Sequence, residues 1–369
     1  MQIYLVGGAV RDLIMGIPNQ DLDYVVVGSS VEEMINLGFI PVGQNFPVFL
    51  HPKTKQEYAL ARTEKKIAKG YKGFSFFADK SVTLEEDLSR RDLTINAIAL
   101  PITPNTCNNK FDLSKIIDPF NGLADIKNKI LRHVSSAFLE DPVRILRIAR
   151  FRARYNFQIH ETTLDLMRKM VVNNEIKALV PERIWQEISK ALVENYPTKF
   201  FYSLWEINAI EIIFPELVDN FENNMLKMLS LESLISKDLE INFTILMLNL
   251  DKTSILSFCK RLKVNKNLEE LAISSKLTLK KLQSIRSSTD ILDILNTADG
   301  FRRKDRFIKI MNICEKYYAM DKKPYYFNKD KMIEHLENCL KIDIKNLIDK
   351  NSNLSTKEQV YQFRLKAIN

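Results

Sequence analysis

The pattern of apolar and polar positions changes character after Leu139. Before that point short apolar runs are broken by glycine, proline and small polar clusters. Ile3-Tyr4-Leu5-Val6 reads as a strand ended by Gly7-Gly8, after which Ala9 to Met15 has helical spacing and stops at Gly16. Asp21-Leu22-Asp23-Tyr24-Val25-Val26-Val27 is β-rich and bounded by Gly28-Ser29-Ser30, a helix start signal. Phe46 to His51 and Glu57 to Arg62 predict two more strands, Thr63 to Asp79 a polar glycine-bearing loop, and Arg90 to Leu100 a buried helix or strand. Beyond Leu139 helical periodicity dominates. Glu140-Asp141-Pro142 predicts a helix start with Asp at the cap and Pro in the first turn. Later turns fall near Pro181, Pro197, Pro215 and Gly300, and Lys322 to Asn328 reads as a loop. The expected class is α+β, a small mixed α/β head followed by an elongated all-α neck, body and tail.

Composition narrows the field without naming a chemistry. With 369 residues, 46% hydrophobic and 27% charged, the chain suits two or more globular domains rather than disorder. No apolar run approaches the roughly 20 residues of a membrane span, and the start has no signal-peptide pattern. Cys107, Cys259, Cys314 and Cys339 are scattered, with no CxxC pair, so neither a disulfide framework nor a zinc site is expected. These features predict a reduced, cytoplasmic protein with no membrane partner. Charge is uneven. Lys260 to Ile310 holds thirteen Lys/Arg against six Asp/Glu, so most of the formal +8 sits there. Such a block is usually a solvated helical face, but it also suits a polyanion such as RNA.

Candidate chemistry lies in the head. Asp21 and Asp23 sit two apart on the predicted strand, so both carboxylates share a face. Paired carboxylates without His or Cys are hard oxygen ligands suited to Mg²⁺. Two ions there would activate an attacking hydroxyl and neutralise a leaving pyrophosphate. An isolated pair of this kind is more often a solvated strand end. Here Gly7-Gly8 lies just upstream, where bare backbone N–H groups can approach a triphosphate, and Arg11 is placed to add a phosphate contact. In the helical part, Glu140, Arg144, Arg147 and Arg154 share one helical face, with Asp141 at its edge. A carboxylate beside an arginine offers acceptors and donors together and can pair with the edge of a nucleobase. A plain i,i+4 ion pair stabilises a helix by only about 0.5 kcal/mol, a poor reason for such a cluster.

Taken together, Gly7-Gly8-Ala9-Val10-Arg11-Asp12 and Asp21-Leu22-Asp23 resemble the signature of class II tRNA nucleotidyltransferases, the CCA-adding enzymes of the polymerase-beta-like superfamily. Further blocks follow in the family's order. They are Arg90-Arg91-Asp92-Leu93-Thr94-Ile95-Asn96-Ala97, Asp118-Pro119 through Gly122 and Asp125, Glu140-Asp141-Pro142-Val143-Arg144, and Val180-Pro181-Glu182-Arg183-Ile184. The resemblance is to the gammaproteobacterial type and extends over nearly the whole chain. It implies template-independent addition of C, C and A to the tRNA 3′ end from CTP and ATP. It also implies Asp21 and Asp23 as catalytic metal ligands, and Gly8, Arg11, Arg91 and Asp92 on the triphosphate and sugar. Asp141 and Arg144 become the base-reading pair, with Arg147 close by. The loop from Thr63 to Asp79 matches in place the one the family needs to switch from CTP to ATP.

The implied organisation is a catalytic head over residues 1–139, a base-reading helical neck over 140–225, a vestigial HD-like segment over 226–259 and a tRNA-binding body and tail over 260–369. Many such relatives carry an HD phosphohydrolase domain. This chain has only His51, His133, His160 and His335, and Leu248-Asn249 stand where the His-Asp pair is expected. The His-rich stretch expected downstream is also missing, since Lys252 runs almost directly into Phe258-Cys259-Lys260-Arg261-Leu262. Leucine cannot bind a metal, so phosphohydrolase activity is expected to be absent. Two alternatives stand beside the leading reading: a bacterial poly(A) polymerase, which shares the head, and a catalytically dead RNA-binding relative. The oligomeric state is left open by the sequence.

Overall fold

The computed structural model describes residues 1–18, 21–42, 48–66, 74–102, 111–219, 221–222, 225, 237–321, 327–348 and 352–368. The head is built on a mixed six-stranded sheet in the order β3-β4-β5-β2-β1-β8. Strand β1 (Gln2–Val6) lies between β2 (Asp23–Val27) and β8 (Ala99–Pro101), antiparallel to both. Strand β5 (Glu57–Leu60) runs parallel to β2, with Asp23 opposite Glu57, and β4 (Val48–Leu50) and β3 (Ile40–Val42) complete the edge.

The continuous apolar run of β1 follows from burial on both faces. Tyr4 and Val6 enter one cluster with Val25 and Leu88, while Leu5 enters another with Ala9, Val10 and Tyr24. Strands covered on two sides lose the polar alternation of a half-buried sheet. Helix α1 (Gly8–Ile14) supplies Ala9 and Val10 to one layer, and α3 (Leu84–Ser89) supplies Leu88 to the other. Between them in sequence, α2 (Val31–Asn36) starts at a capping box formed by Ser30 and Glu33, as the Gly-Ser-Ser signal predicts.

Four sequence readings need adjusting. Asp21 precedes β2 instead of lying on it, so only Asp23 is a strand residue. The expected loop after Arg62 begins and ends as an antiparallel ribbon of β6 (Thr63–Lys66) and β7 (Phe74–Phe77), and its residues 67–73 lie outside the described set. The segment Arg90 to Leu100 is neither one helix nor one strand. It caps α3, makes a short 3₁₀ turn at Thr94–Asn96 and enters β8, with Asp92 to Leu100 all buried. The predicted helix cap at Asp141 falls one residue early, since a 3₁₀ turn (Ser136–Glu140) ends at Asp141 and the long helix that follows has Pro142 as its cap. Helix α4 (Gly122–Asn128) and the short parallel pair of β9 (Ile130–Leu131) and β10 (Gln158–Ile159) flank the long helix α5 (Val143–Tyr155). After it come α6 (Glu161–Val172) and α7, which begins at Pro181 and ends at Ala191.

The chain packs as two compact units, one of Met1–Glu187 with Lys199–Ile213, the other of Ile188–Thr198 with Phe214–Asn369. In the second unit the described residues from Leu239 onward are mainly helical, and one large core joins several of these helices. Leu248, Leu271, Leu279, Phe307, Ile310 and Leu336 are all buried in it. Lys322 to Asn328, read as a loop, lies mostly outside the described residues, though Asn328 caps the helix Lys329–Leu340. No described helix is long and apolar enough to cross a membrane. Cys259, Cys314 and Cys339 are buried free thiols, as the scattered spacing predicts, and Cys107 lies outside the described residues.

Candidate active site

A cavity of about 610 Å³ opens in the first unit between the strand edge of the head and one face of α5. Every candidate residue named from the sequence lines it: Gly8, Arg11, Asp21, Asp23, Arg91, Asp92, Asp141, Arg144 and Arg147. Four arginines without an assigned role join them, Arg90, Arg150, Arg154 and Arg183. The lining holds eight arginines against five aspartates, an excess of three positive charges that suits a polyphosphate.

The floor is the β1–α1 turn. Gly7 has φ +68°, a conformation that favours glycine, and a side-chain carbon there would lie 2.7 Å from Nη1 of Arg91 and push that guanidinium aside. Arg11, in α1, is only 3% exposed. Its Nε donates to Asp12 Oδ1 at 2.8 Å and its Nη1 donates to the side-chain oxygen of Asn96.

The strand edge carries the carboxylates. Burial raises the pKa of Asp23, the negative charges of Glu57 and Asp21 raise it further, and Arg91 opposes them. A carboxyl crowded in this way gains from a cation. Among the described residues no group of three or more His, Cys, Asp or Glu forms a ready metal cage. Two hard carboxylates with open positions nevertheless fit Mg²⁺, which usually keeps several waters and substrate phosphates as its other ligands. Glu57 was not singled out from the sequence. Its only signal was its place at the start of a predicted strand.

The Arg-Arg-Asp block is anchored by Asp87, which is fully buried. Arg90 Nη2 donates to its Oδ1 at 2.7 Å, Arg91 Nη2 to its Oδ2 at 3.2 Å and the Arg62 N–H to Oδ1 at 3.3 Å. Burial alone would push this carboxyl up, but the two guanidinium groups hold it below its ordinary value. Asp92 accepts from Arg147 Nε at 2.7 Å and from Asn96 Nδ2 at 2.9 Å. Its pKa is likewise held well below the usual range by Arg147 despite burial.

At the other end, both oxygens of Asp141 accept from Arg183, at 3.0 and 2.7 Å, and Oδ1 also accepts the Val143 N–H at 3.1 Å. Arg144 Nη2 donates to the backbone oxygen of Arg90 at 2.6 Å. Behind this face, Arg150 Nε meets Glu187 Oε2 at 2.6 Å, both side chains at most a tenth exposed. Arg150 and Arg183 were legible in part: Arg150 continues the i, i+3 series of Arg144 and Arg147, and Arg183 stands in the fifth sequence block.

The helical unit alters two other readings. Much of the basic segment is paired within the fold. Arg261 meets Glu216, Lys281 meets Asp293, Arg303 and Arg306 share Glu270, and Lys309 meets Asp238 and Glu240. At the expected His-Asp position, Leu248 is a fully buried core residue. Asn249 Oδ1 accepts from the Tyr317 hydroxyl at 2.5 Å, and Lys276 Nζ donates to the Leu248 carbonyl at 2.6 Å.

A small mixed sheet with an acidic strand edge, facing an arginine-lined helix across a polar cavity, defines a nucleotidyltransferase. The Poly A polymerase head domain family matches residues 3–132, and the family described as the probable RNA and SrmB-binding site of polymerase A matches 156–220. The chain is 47% identical over 324 residues to the CCA-adding enzyme of Coxiella burnetii (strain RSA 493 / Nine Mile phase I), covering 85% of this chain and 81% of that one. It is 40% identical over 384 residues to the Multifunctional CCA protein of Nitrosomonas europaea, covering 93% and 89%. A solved CCA-adding enzyme, apo form II, shares the fold with a TM-score of 0.73 at 22% identity, covering all of this chain and 88% of that one. Another, solved with CTP, gives 0.65 at 22% identity over 86% of its length. The chain belongs to the family of CCA-adding enzymes, which are tRNA nucleotidyltransferases, and the poly(A) polymerase alternative is not favoured.

Proposed function

We propose that this chain completes the 3′ end of tRNA with C, C and A, using CTP and ATP and releasing pyrophosphate. The observation that carries the reading is the joining, in one cavity, of the Asp21/Asp23 edge to the Asp141/Arg144/Arg147 face. The tRNA 3′ hydroxyl attacks the α-phosphate at the carboxylate edge. Arg11 and the Gly8 backbone hold the triphosphate, and Arg91 with Asp92 holds the sugar side. Asp141 and Arg144 present an acceptor and donors to the base, with Arg147 close by and fixed by Asp92. Asp21 and Asp23 would hold Mg²⁺, which when bound neutralises phosphate charge and makes a hydroxyl more acidic. Most of the rate then comes from positioning and preformed electrostatics.

In this reading residues 1–139 are the catalytic head and 140–225 the base-reading neck, and 226–259 survive as packing without phosphohydrolase activity. Residues 260–369 grip the tRNA body through phosphate contacts, with binding that weakens steeply as salt rises. The protein works in the cytoplasm.

The test incubates pure protein with Mg²⁺, CTP, ATP and tRNA ending before CCA, then sequences the 3′ ends. Addition of CCA and no more is the expected result. Long A-tails would favour a poly(A) polymerase, and no extension a catalytically dead relative. Asp21→Ala or Asp23→Ala should abolish addition while tRNA binding persists.

A further inference from the structure

We infer that Tyr155, at the C-terminal end of α5, is a positioning residue that fixes Arg11 on the triphosphate and so sets the affinity for any nucleoside triphosphate without regard to its base. The inference rests on the triphosphate role of Arg11 given above. Tyr155 does not line the cavity, whereas Arg11 and Asp12 do. It reaches the site through them. Its hydroxyl donates to Asp12 Oδ1 at 2.9 Å, the same oxygen that accepts from Arg11 Nε at 2.8 Å. Its ring lies 5.1 Å from the Arg11 guanidinium carbon, and that of Phe151 lies 5.2 Å from it. The two rings are near-parallel, 8° apart in plane at 6.2 Å between centres. Arg11 is thus held by an anion and by two aromatic faces, all but one of those groups belonging to α5, a helix remote in sequence from α1.

A guanidinium has five N–H donors in a rigid fork. Asp12 and Asn96 orient the fork and leave it donors for a ligand. Asp12 is the group that must not swing, because it is 2% exposed and would otherwise take Arg11 with it. The Tyr155 hydroxyl ties it from behind, and Arg154 Nη2 approaches its other oxygen at 3.4 Å. Burial raises the Tyr155 pKa, so the phenol keeps its proton and remains a donor. A base-reading residue would discriminate between CTP and ATP. A residue acting through Arg11 must treat them alike.

The test is Tyr155→Phe, which keeps the ring and removes only the hydroxyl. KM for CTP and for ATP should rise by the same factor, about ten-fold and up to about 150-fold for one hydrogen bond to a charged group. The inhibition constant of inorganic tripolyphosphate should rise by that factor too, with kcat nearly unchanged and the order of nucleotides added unaltered. Unchanged tripolyphosphate inhibition would overturn the inference, as would a change confined to one nucleotide. Asp12→Asn carries the same expectation and covers the case in which Tyr155→Phe fails to fold. Loss of folding in both variants would reduce Tyr155 to a structural residue and end the proposal. Tripolyphosphate binding by calorimetry keeps the two readings apart, since wild-type protein that extends no tRNA refutes CCA addition but leaves this comparison intact.

Discussion

Replacing Arg183 with lysine separates the base-reading end of the cavity from the triphosphate end. Arg183 donates to both oxygens of Asp141, at 2.7 and 3.0 Å, with the two side chains 25% and 20% exposed. A lysine keeps the charge but not the planar fork, so Asp141 retains one charged donor and the Val143 N–H. A hydrogen bond to a charged group contributes about 1.5–3 kcal/mol, and partial exposure places this one near the lower end. About 1–2 kcal/mol of orientation is therefore lost, equivalent to a roughly five- to thirty-fold change. Steady-state addition of single nucleotides measures it. The ratio of kcat/KM for CTP over UTP should fall by that factor, while inhibition by tripolyphosphate stays as in the wild type. Intact CTP/UTP discrimination with a weakened tripolyphosphate site would refute the assignment of Asp141 to the base and of Arg183 to its support.

Two further outcomes concern stability. Glu187→Gln removes the carboxylate that Arg150 Nε meets at 2.6 Å between two largely buried side chains, and chemical denaturation should register a loss of about 3 kcal/mol; a loss below about 1 kcal/mol would mean the pair is better solvated than its burial implies. For acid, the folded pKa values of Asp87 and Asp92 lie below the ordinary 3.8. The stability these groups confer is complete above that value and is lost as pH falls through their folded values. An acid titration of wild-type protein by circular dichroism should show the loss below pH 3.8, and Asp87→Asn should flatten it.

Strand and helix boundaries in the head were legible where apolar runs met glycine or a capping serine, as at Gly7 and Ser30. Boundaries set by tertiary packing were not. The stretch from Asp92 to Leu100 mixes polar and apolar residues yet is buried throughout, and complete burial erases the periodicity that separates helix from strand. Asp141 looks like a helix cap from its position before Pro142, and its Oδ1 does accept the Val143 N–H, but the same carboxylate also takes two donors from Arg183. Residue types and spacing brought out the cavity lining well. What they could not reveal were pairings between distant segments: Glu57 against Asp23, Arg183 against Asp141 and Tyr155 behind Asp12. The basic block gave the opposite error of emphasis, since net charge counts residues and cannot see that many of them already face an internal carboxylate.

The excess of three positive charges around the cavity also ties folding to metabolism. Internal carboxylates such as Asp87, Asp92, Asp141 and Glu187 already hold many of these guanidinium groups, and a bound polyphosphate adds charge pairing that only the folded state offers. A nucleoside triphosphate that binds only the folded chain stabilises it by about 2.7 kcal/mol at a hundred times its dissociation constant. The lifetime of the protein in a proteolytic environment would then follow the supply of its own substrates, lengthening when triphosphates are abundant and shortening as they run down.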